Sequence, residues 1–384
     1  MLRKFQKVDW SIVVILILFM VISTLLVYSA TINGTELKFD AKKLTIIYVI
    51  SIIGFLAATT IDYRILTKFS YYLYGAGLIL LVAVLKFGVE KGGATGWFSL
   101  PFGLDFQPVE LFKIILILTV SYFIGKLKGE PMTFLRGIVP VGVLTLVPIA
   151  LVMAQPDFGN AIILVAVLIG LYWIGQVPIT YVLSGIAAIS AFGYFFLHYF
   201  KLYYTQIKEY LIAHKLPFHW MARINTFIDP ESATNDQKYQ VVNSVRAIGS
   251  GSLTGEGFLH GTSIHNNFIP VAYSDSIFVV IGEEFGFIGA SILLLLYFVL
   301  IYRMILIAIY TNNFAGRYIV VGVISMLVFQ IFENIGMMIG IMPLTGITLP
   351  FVSYGGTSLM INMIAMGLVM SIKIHDDLLL DEDL

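Results

Sequence analysis

There is no cysteine in this chain, which removes disulfides, thiolate metal sites and thiol nucleophiles together. Charge is scarce as well. Asp, Glu, Lys and Arg make up 12% of 384 residues and cancel to a net charge of zero, so no nucleic-acid partner is indicated. No phosphate-loop pattern and no Ser-His-Asp arrangement is legible, and no Pro/Ser-rich linker or short-period repeat divides the chain. What fills it is apolar: 59% hydrophobic residues and a mean hydropathy of +0.92, far from the balance of a soluble domain. The bilayer sets the architecture, and residues 1–384 read as a single all-α membrane domain.

Runs long enough to cross ~30 Å of hydrocarbon fall at about 10–30, 44–61, 70–86, 108–125, 137–153, 158–174, 178–199, 276–303, 317–341 and 353–373. The first is too long for the apolar part of an ordinary signal peptide and lacks a convincing cleavage signal, so it counts as a span. Ten spans place both termini on one side. With the N-terminus inside, the inner segments hold Arg3, Lys4, Lys7, Arg64, Lys68, Lys126, Lys128, Arg136, Arg303, Arg317 and Lys373, against Lys38, Lys42, Lys43, Lys86 and Lys91 in short outer loops. That asymmetry makes the termini cytoplasmic. The one long loop, roughly 200–275, is then extracytoplasmic. Within it, 201–216 has Tyr203, Ile207, Tyr210 and Leu211 on one helical face and reads as a helix lying on the membrane surface. A second helix is expected over 237–252, ended by glycines.

The fourth, sixth, eighth and tenth spans start on the outside, and each start is polar: QPVELFK (107–113), QPDFGN (155–160), AYSDS (272–276) and FVSYGGTS (351–358). Free N–H groups and the partial positive charge of helix N-termini suit an anion if these starts converge. Asp275 stands where the long loop re-enters the membrane. An ionisable group there is a candidate functional residue, and a cap of the following helix is the plain alternative. Glu110 and Lys113, three apart, suit an ion pair or the wall of a substrate cavity, while Asp157 reads as a helix cap. Glu283 and Glu284, about 12 Å past Asp275 on a continuous helix, are expected near the headgroups, paired or solvated. A divalent cation there is conceivable, but two carboxylates are a weak metal signal. Glu333, beside Asn334 and close to Gly336 and Gly340, needs a partner that the sequence does not name. Arg223 and Arg246 in the long loop suit phosphate or ordinary loop ion pairs.

Five ordered blocks then add up to a resemblance: GWF followed by QPVE and Lys113; QPDFGN; RINTFIDP with YQ and AIGSGSLTGEG; IPVAYSDSIFVVIGEEFG; and NIGMMIGIMPLTGITLPFVSYGGTS (334–358). Together they resemble the SEDS family (shape, elongation, division, sporulation), which contains RodA, FtsW and SpoVE, with PLTGITLPFVSYGGTS nearer the elongation-type branch. The usual Gln-Pro-Ser-Glu of that family has Val109 in place of the serine here, and Tyr273-Ser274 replaces the more usual Thr before the aspartate. The resemblance implies a multi-pass protein of the bacterial cytoplasmic membrane that polymerises lipid II into peptidoglycan strands, with a class B penicillin-binding protein as crosslinking partner. It makes Asp275 the essential aspartate, with Glu110, Lys113, Arg223, Arg246, Ser353, Gly355 and Gly356 as substrate-binding candidates and the metal requirement open. One base suffices for a single inverting displacement, and Lys113, the two arginines, helix N-termini or a metal ion are candidates for holding the leaving pyrophosphate. A lipid II flippase, or a scaffold for the crosslinking enzyme, is the rival reading.

Overall fold

The computed structural model describes residues 7–32, 40–91, 93–100, 104–214, 225 and 235–382. Ten helical spans lie at the expected places: α1 (Trp10–Ile32), α2 (Ala41–Thr60), then after the short α3 (Tyr63–Lys68), α4 (Ser70–Phe87), α5 (Pro108–Gly125), α6 (Val139–Ala154), α7 (Phe158–Ile174), α8 (Ile179–Ala213), and, beyond α9 (Asn235–Ser250) and α10 (Thr262–His265), α11 (Ile277–Tyr310), α12 (Phe314–Met338) and α13 (Gly356–Glu382). A π-helical turn, Phe134–Ile138, leads into α6. Nine of these helical segments are long and apolar enough to cross a membrane, and α7 is a shorter apolar helix. The chain is a multi-pass membrane protein.

Three departures from the sequence reading matter. First, the connection after α4 is a small antiparallel sheet, β1 (Val89–Lys91), β2 (Ala94–Leu100) and β3 (Leu104–Phe106), with β2 in the centre. Its register pairs Trp97 with Val89 and Phe98 with Phe106. Second, among the described residues no separate surface helix follows the seventh span. Residues 201–213 continue α8 as one helix of 35 residues, because nothing between Phe200 and Ala213 interrupts the helical ladder. The second expected loop helix is present as α9. Third, α11 is broken at Gly286 (φ 61°, ψ −158°) into residues 277–285 and 287–310.

Helices α5, α12 and α13 form the buried interior, with α12 against α5, α7 and α11, and α13 along α2. Over its apolar stretch α8 buries almost nothing. Basic side chains collect at one end. The buried Asp9 carboxylate accepts from Arg303 Nη2 at 2.6 Å and Lys373 Nζ at 3.1 Å. Arg64 donates to the His375 carbonyl at 3.1 Å, and Lys126 lies 4.3 Å from the Tyr122 ring centroid. These belong to the segments expected inside.

Burial pushes the Asp9 carboxyl up, but Arg303 and Lys373 outweigh it and hold it below the usual range. A depressed carboxylate contributes stability that is present above its unfolded pKa and lost as pH falls through the folded one. The thermal midpoint of the detergent-solubilised protein should therefore fall with acidification below the ordinary Asp range, and Asp9→Asn should flatten that limb. An acid limb of the same steepness in the variant would remove Asp9 from the account.

Candidate functional site

The break in α11 places Asp275. At Gly286 the chain leaves helical geometry, so the carbonyls that end residues 277–285 and the amides that begin 287–310 lose their intrahelical partners. The loop after α9 supplies them: Glu256 N and Gly257 N donate to the Glu283 and Glu284 carbonyls at 2.9 and 3.0 Å, while Phe287 N and Ile288 N donate to Ser252 O and Leu253 O at 3.0 and 3.1 Å. The approach is so close that a Cβ on Gly255 (φ +82°) would lie 2.1 Å from Glu284 O. This is the physical content of the GSLTGEG block. Glu283 and Glu284 are therefore buried and paired, not solvated. Glu283 is buried and accepts from Ser263 N and Ile264 N at 2.7 and 3.1 Å, closing the start of α10. Glu284, also buried, accepts from Ser29 Oγ and lies 3.3 Å from His265 Nε2.

Ser276, not Ser274 or Asp275, occupies the cap position of α11, and it makes no side-chain cap bond. Its hydroxyl instead lies 3.4 Å from Gln240 Nε2 of α9. The Asp275 side chain is thus not a helix cap. Its main-chain carbonyl accepts from Asn334 Nδ2 at 2.7 Å, and the same amide nitrogen donates to Ile347 O at 2.7 Å. One asparagine of the interior helix α12 therefore fixes both the Asp275 turn and the segment before α13. Asp275 Oδ2 is 3.9 Å from where a Cβ on Gly346 would lie. Tyr354 N donates to Tyr273 O at 2.9 Å, locking the two segments together.

On the far side of residues 345–347 lies a buried polar chain. Gly159 of α7 approaches Thr345 and Ile347 so closely that a Cβ there would meet them at 3.0 and 2.6 Å. Lys113 Nζ, fully buried, is 2.9 Å from Glu110 Oε1 and donates to Asn160 Oδ1 at 3.1 Å. Asn160 Nδ2 and Gln107 Nε2 both reach Asp157 Oδ2 at 2.9 Å, and Asp157 caps α7 through Asn160 N at 3.1 Å. Glu333 is buried beside this chain, with the Thr345 hydroxyl, Lys113 and Asp157 in its electrostatic surroundings. Burial pushes the Asp157 carboxyl up.

The four polar helix starts thus come to one end of the bundle, joined through residues 345–347. They are not a vacant anion cradle, however. The start of α7 is occupied by its own Asp157, the first turn of α5 contains Glu110, and Lys113 already serves Glu110 and Asn160. Of the other candidates, Ser353 is buried and accepts from Leu349 N at 2.8 Å, and Gly355 packs on Thr348 and Gly356 on Ile47. All three shape the turn that presents Tyr354. Arg246 is exposed on α9, six residues or about 9 Å beyond Gln240, and is not brought to Asp275. Arg223 lies outside the described residues. Among the described residues no group of three or more His, Asp or Glu side chains is arranged to hold a metal ion, so no step is assigned to one. Two residues escaped the sequence reading, Ser29 and the bridging role of Asn334. The only signal for either was a polar side chain inside an apolar run.

Residues 5–378 match the family described as cell cycle protein, comprising FtsW, RodA and SpoVE. Peptidoglycan glycosyltransferase MrdB of Escherichia coli (strain K12) is 34% identical over 371 residues, covering 97% of this chain and 95% of that protein. Stage V sporulation protein E of Bacillus subtilis (strain 168) is 30% identical over 382 residues, covering 97% and 99%. Among solved structures, a chain from work on the structural coordination of polymerization and crosslinking by a peptidoglycan synthase complex superposes with a TM-score of 0.76 at 27% identity, covering 96% of this chain and 98% of that one. A mutant of the rod shape determining protein RodA of Thermus thermophilus gives 0.68 at 26% identity, with the same coverage. With its ten helical spans, broken α11 and Asn334-anchored Asp275 turn, this chain belongs to the FtsW/RodA/SpoVE family.

Proposed function

We propose that this protein is a peptidoglycan glycosyltransferase that polymerises lipid II at the outer face of the bacterial cytoplasmic membrane, in cell-wall elongation and rod shape. The observation that carries the reading is Asp275: a half-buried carboxylate, not consumed as a helix cap, set by Asn334 at the mouth of a buried polar chain. Its carboxylate takes the proton from the 4-hydroxyl of an acceptor N-acetylglucosamine. That oxygen forms a bond to the anomeric carbon of the donor as the bond to the pyrophosphate breaks, and undecaprenyl pyrophosphate leaves. One displacement turns the α linkage into β, so one base is enough.

The basic end of the bundle then faces the cytoplasm with both termini, in keeping with the excess of Lys and Arg there. A class B penicillin-binding protein, crosslinking the strands as they form, is the partner the reading requires. The buried charges Glu110, Lys113, Asp157 and Glu333 lie within about two turns of one end of their helices. Below them Ile117, Leu118, Val323 and Met326 are buried and apolar, which favours chemistry at one face over passage through the membrane. The test is strand formation from purified lipid II by the purified chain with a class B penicillin-binding protein whose crosslinking is blocked. Ladders of uncrosslinked glycan are expected. Their absence, with transport of labelled lipid II between leaflets of the same vesicles, would favour the flippase instead.

A further inference from the structure

The break at Gly286 uncouples residues 277–285 from the long membrane-spanning part of α11. A helix interrupted in this way does not inherit its direction from the rest of the span; its neighbours set it. Two of its attachments lie at its inner end and belong to the loop side, the strand-like pairing with residues 252–257 and the Glu283 bonds to α10. Among the described residues, a side-chain hydrogen bond joins this end to a transmembrane helix of the bundle: Ser29 Oγ of α1 donates to Glu284 Oε1, with His265 of α10 3.3 Å from the same oxygen. Ser29 is fully buried and Glu284 nearly so, and residues 255 apart in sequence meet there.

We propose that Ser29 and Glu284 are positioning residues for Asp275, fixing the tilt of residues 277–285 against α1 and through it the place of the carboxylate. This rests on the reading of Asp275 as the base. The lever is long enough to matter. Asp275 precedes Glu284 by nine residues, about 13 Å of helix, so a change of about 5° at the inner end moves the outer end by about 1 Å. A misplacement of about 1 Å from a remote change costs on the order of 10²-fold in rate. The contacts of Asp275 with its turn do not replace this constraint, because Asn334 holds its carbonyl and not the axis of the helix that follows. Neither Ser29 nor Glu284 is in contact with Asp275, so their effect is on turnover geometry and not on the substrate's lipid anchor.

The test uses the purified chain with a class B penicillin-binding protein, purified lipid II as substrate, and Ser29→Ala, Ser29→Thr and Glu284→Met as variants. Ser29→Ala is expected to lower kcat on the order of 10- to 100-fold with KM changed by no more than about twofold and the thermal midpoint close to that of the parent. Ser29→Thr, which keeps the hydroxyl, is expected to recover most of kcat. A purely structural role would not give this split between kcat and KM with rescue by threonine. If Ser29→Ala does not fold, Glu284→Met carries the test, since it keeps most of the volume and removes both oxygens that Ser29 and His265 face: a fall in kcat at constant KM supports the proposal, and parental kcat overturns it. Parental kcat in Ser29→Ala, or a fall accompanied by an equal rise in KM, also overturns it. An inactive Asp275→Asn protein beside a fully active Ser29→Ala protein sinks this proposal alone, whereas an active Asp275→Asn protein sinks the assignment of the base first.

Discussion

Asp275→Asn is expected to yield a folded protein that still binds lipid II and forms almost no glycan. The amide has nearly the shape of the carboxylate. The group that anchors the turn is the main-chain carbonyl of residue 275, which the substitution leaves with Asn334. The cap position of α11 belongs to Ser276 and is untouched by the substitution. What disappears is the ability to accept a proton at neutral pH, so polymerisation should fall by ~10²–10⁴-fold, the usual loss on removing a general base. Binding should persist, since the lipid tail and pyrophosphate supply most of the substrate's anchoring. The check is strand synthesis and lipid II binding measured on the same preparation. Near-parental synthesis by a well-purified variant would falsify the assignment of the base, whatever its position suggests.

The second large effect concerns Lys113. It is the one buried cation described among Glu110, Asp157 and Glu333. Removing one partner of a buried ion pair leaves an uncompensated charge and costs about 3–5 kcal/mol, while replacing both with apolar groups of similar volume is often close to neutral. Lys113→Met is therefore expected to lower the thermal midpoint and the yield of folded protein sharply, more than Lys113→Met combined with Glu110→Leu. The double variant then separates two roles. If it folds and stays inactive, the pair belongs to the substrate cavity; full activity would confine it to stability. A single variant as stable as the parent would mean that the neighbouring carboxylates do not depend on this ammonium.

Which of this the sequence could reveal follows from the range of each interaction. The ten spans were legible because every crossing needs about 20 apolar residues whatever surrounds it. The polar helix starts at 107–113, 155–160, 272–276 and 351–358 were legible because polar groups stand out against such runs. Their partners were not, since Asn334 meets Asp275 across 59 residues and Lys113 meets Asn160 across 47. The division of α11 had a trace that went unread: 34 helical residues would extend about 51 Å, well beyond a bilayer's ~30 Å. Gly286 marks where the excess is spent on a change of direction. The sheet after α4 was beyond reach, because two of its strands have three residues each and its stability comes from docking. Thr357 Oγ1 of α13 donates to Asp105 O, and Thr95 N donates to Gln155 O at 3.2 Å.

The Asp9 cluster has a consequence for the order in which the protein is made. Its carboxylate stands just before α1, while the guanidinium and ammonium that neutralise it are synthesised 294 and 364 residues later. At a synthesis rate of about 5–20 residues per second, α1 waits tens of seconds before the cations that pair with the acid at its start have been made. A chain stopped before residue 303 never acquires either cation. In such a fragment the carboxylate stays without the two partners it has in the folded protein, so closure of this end of the bundle waits for both α11 and α13.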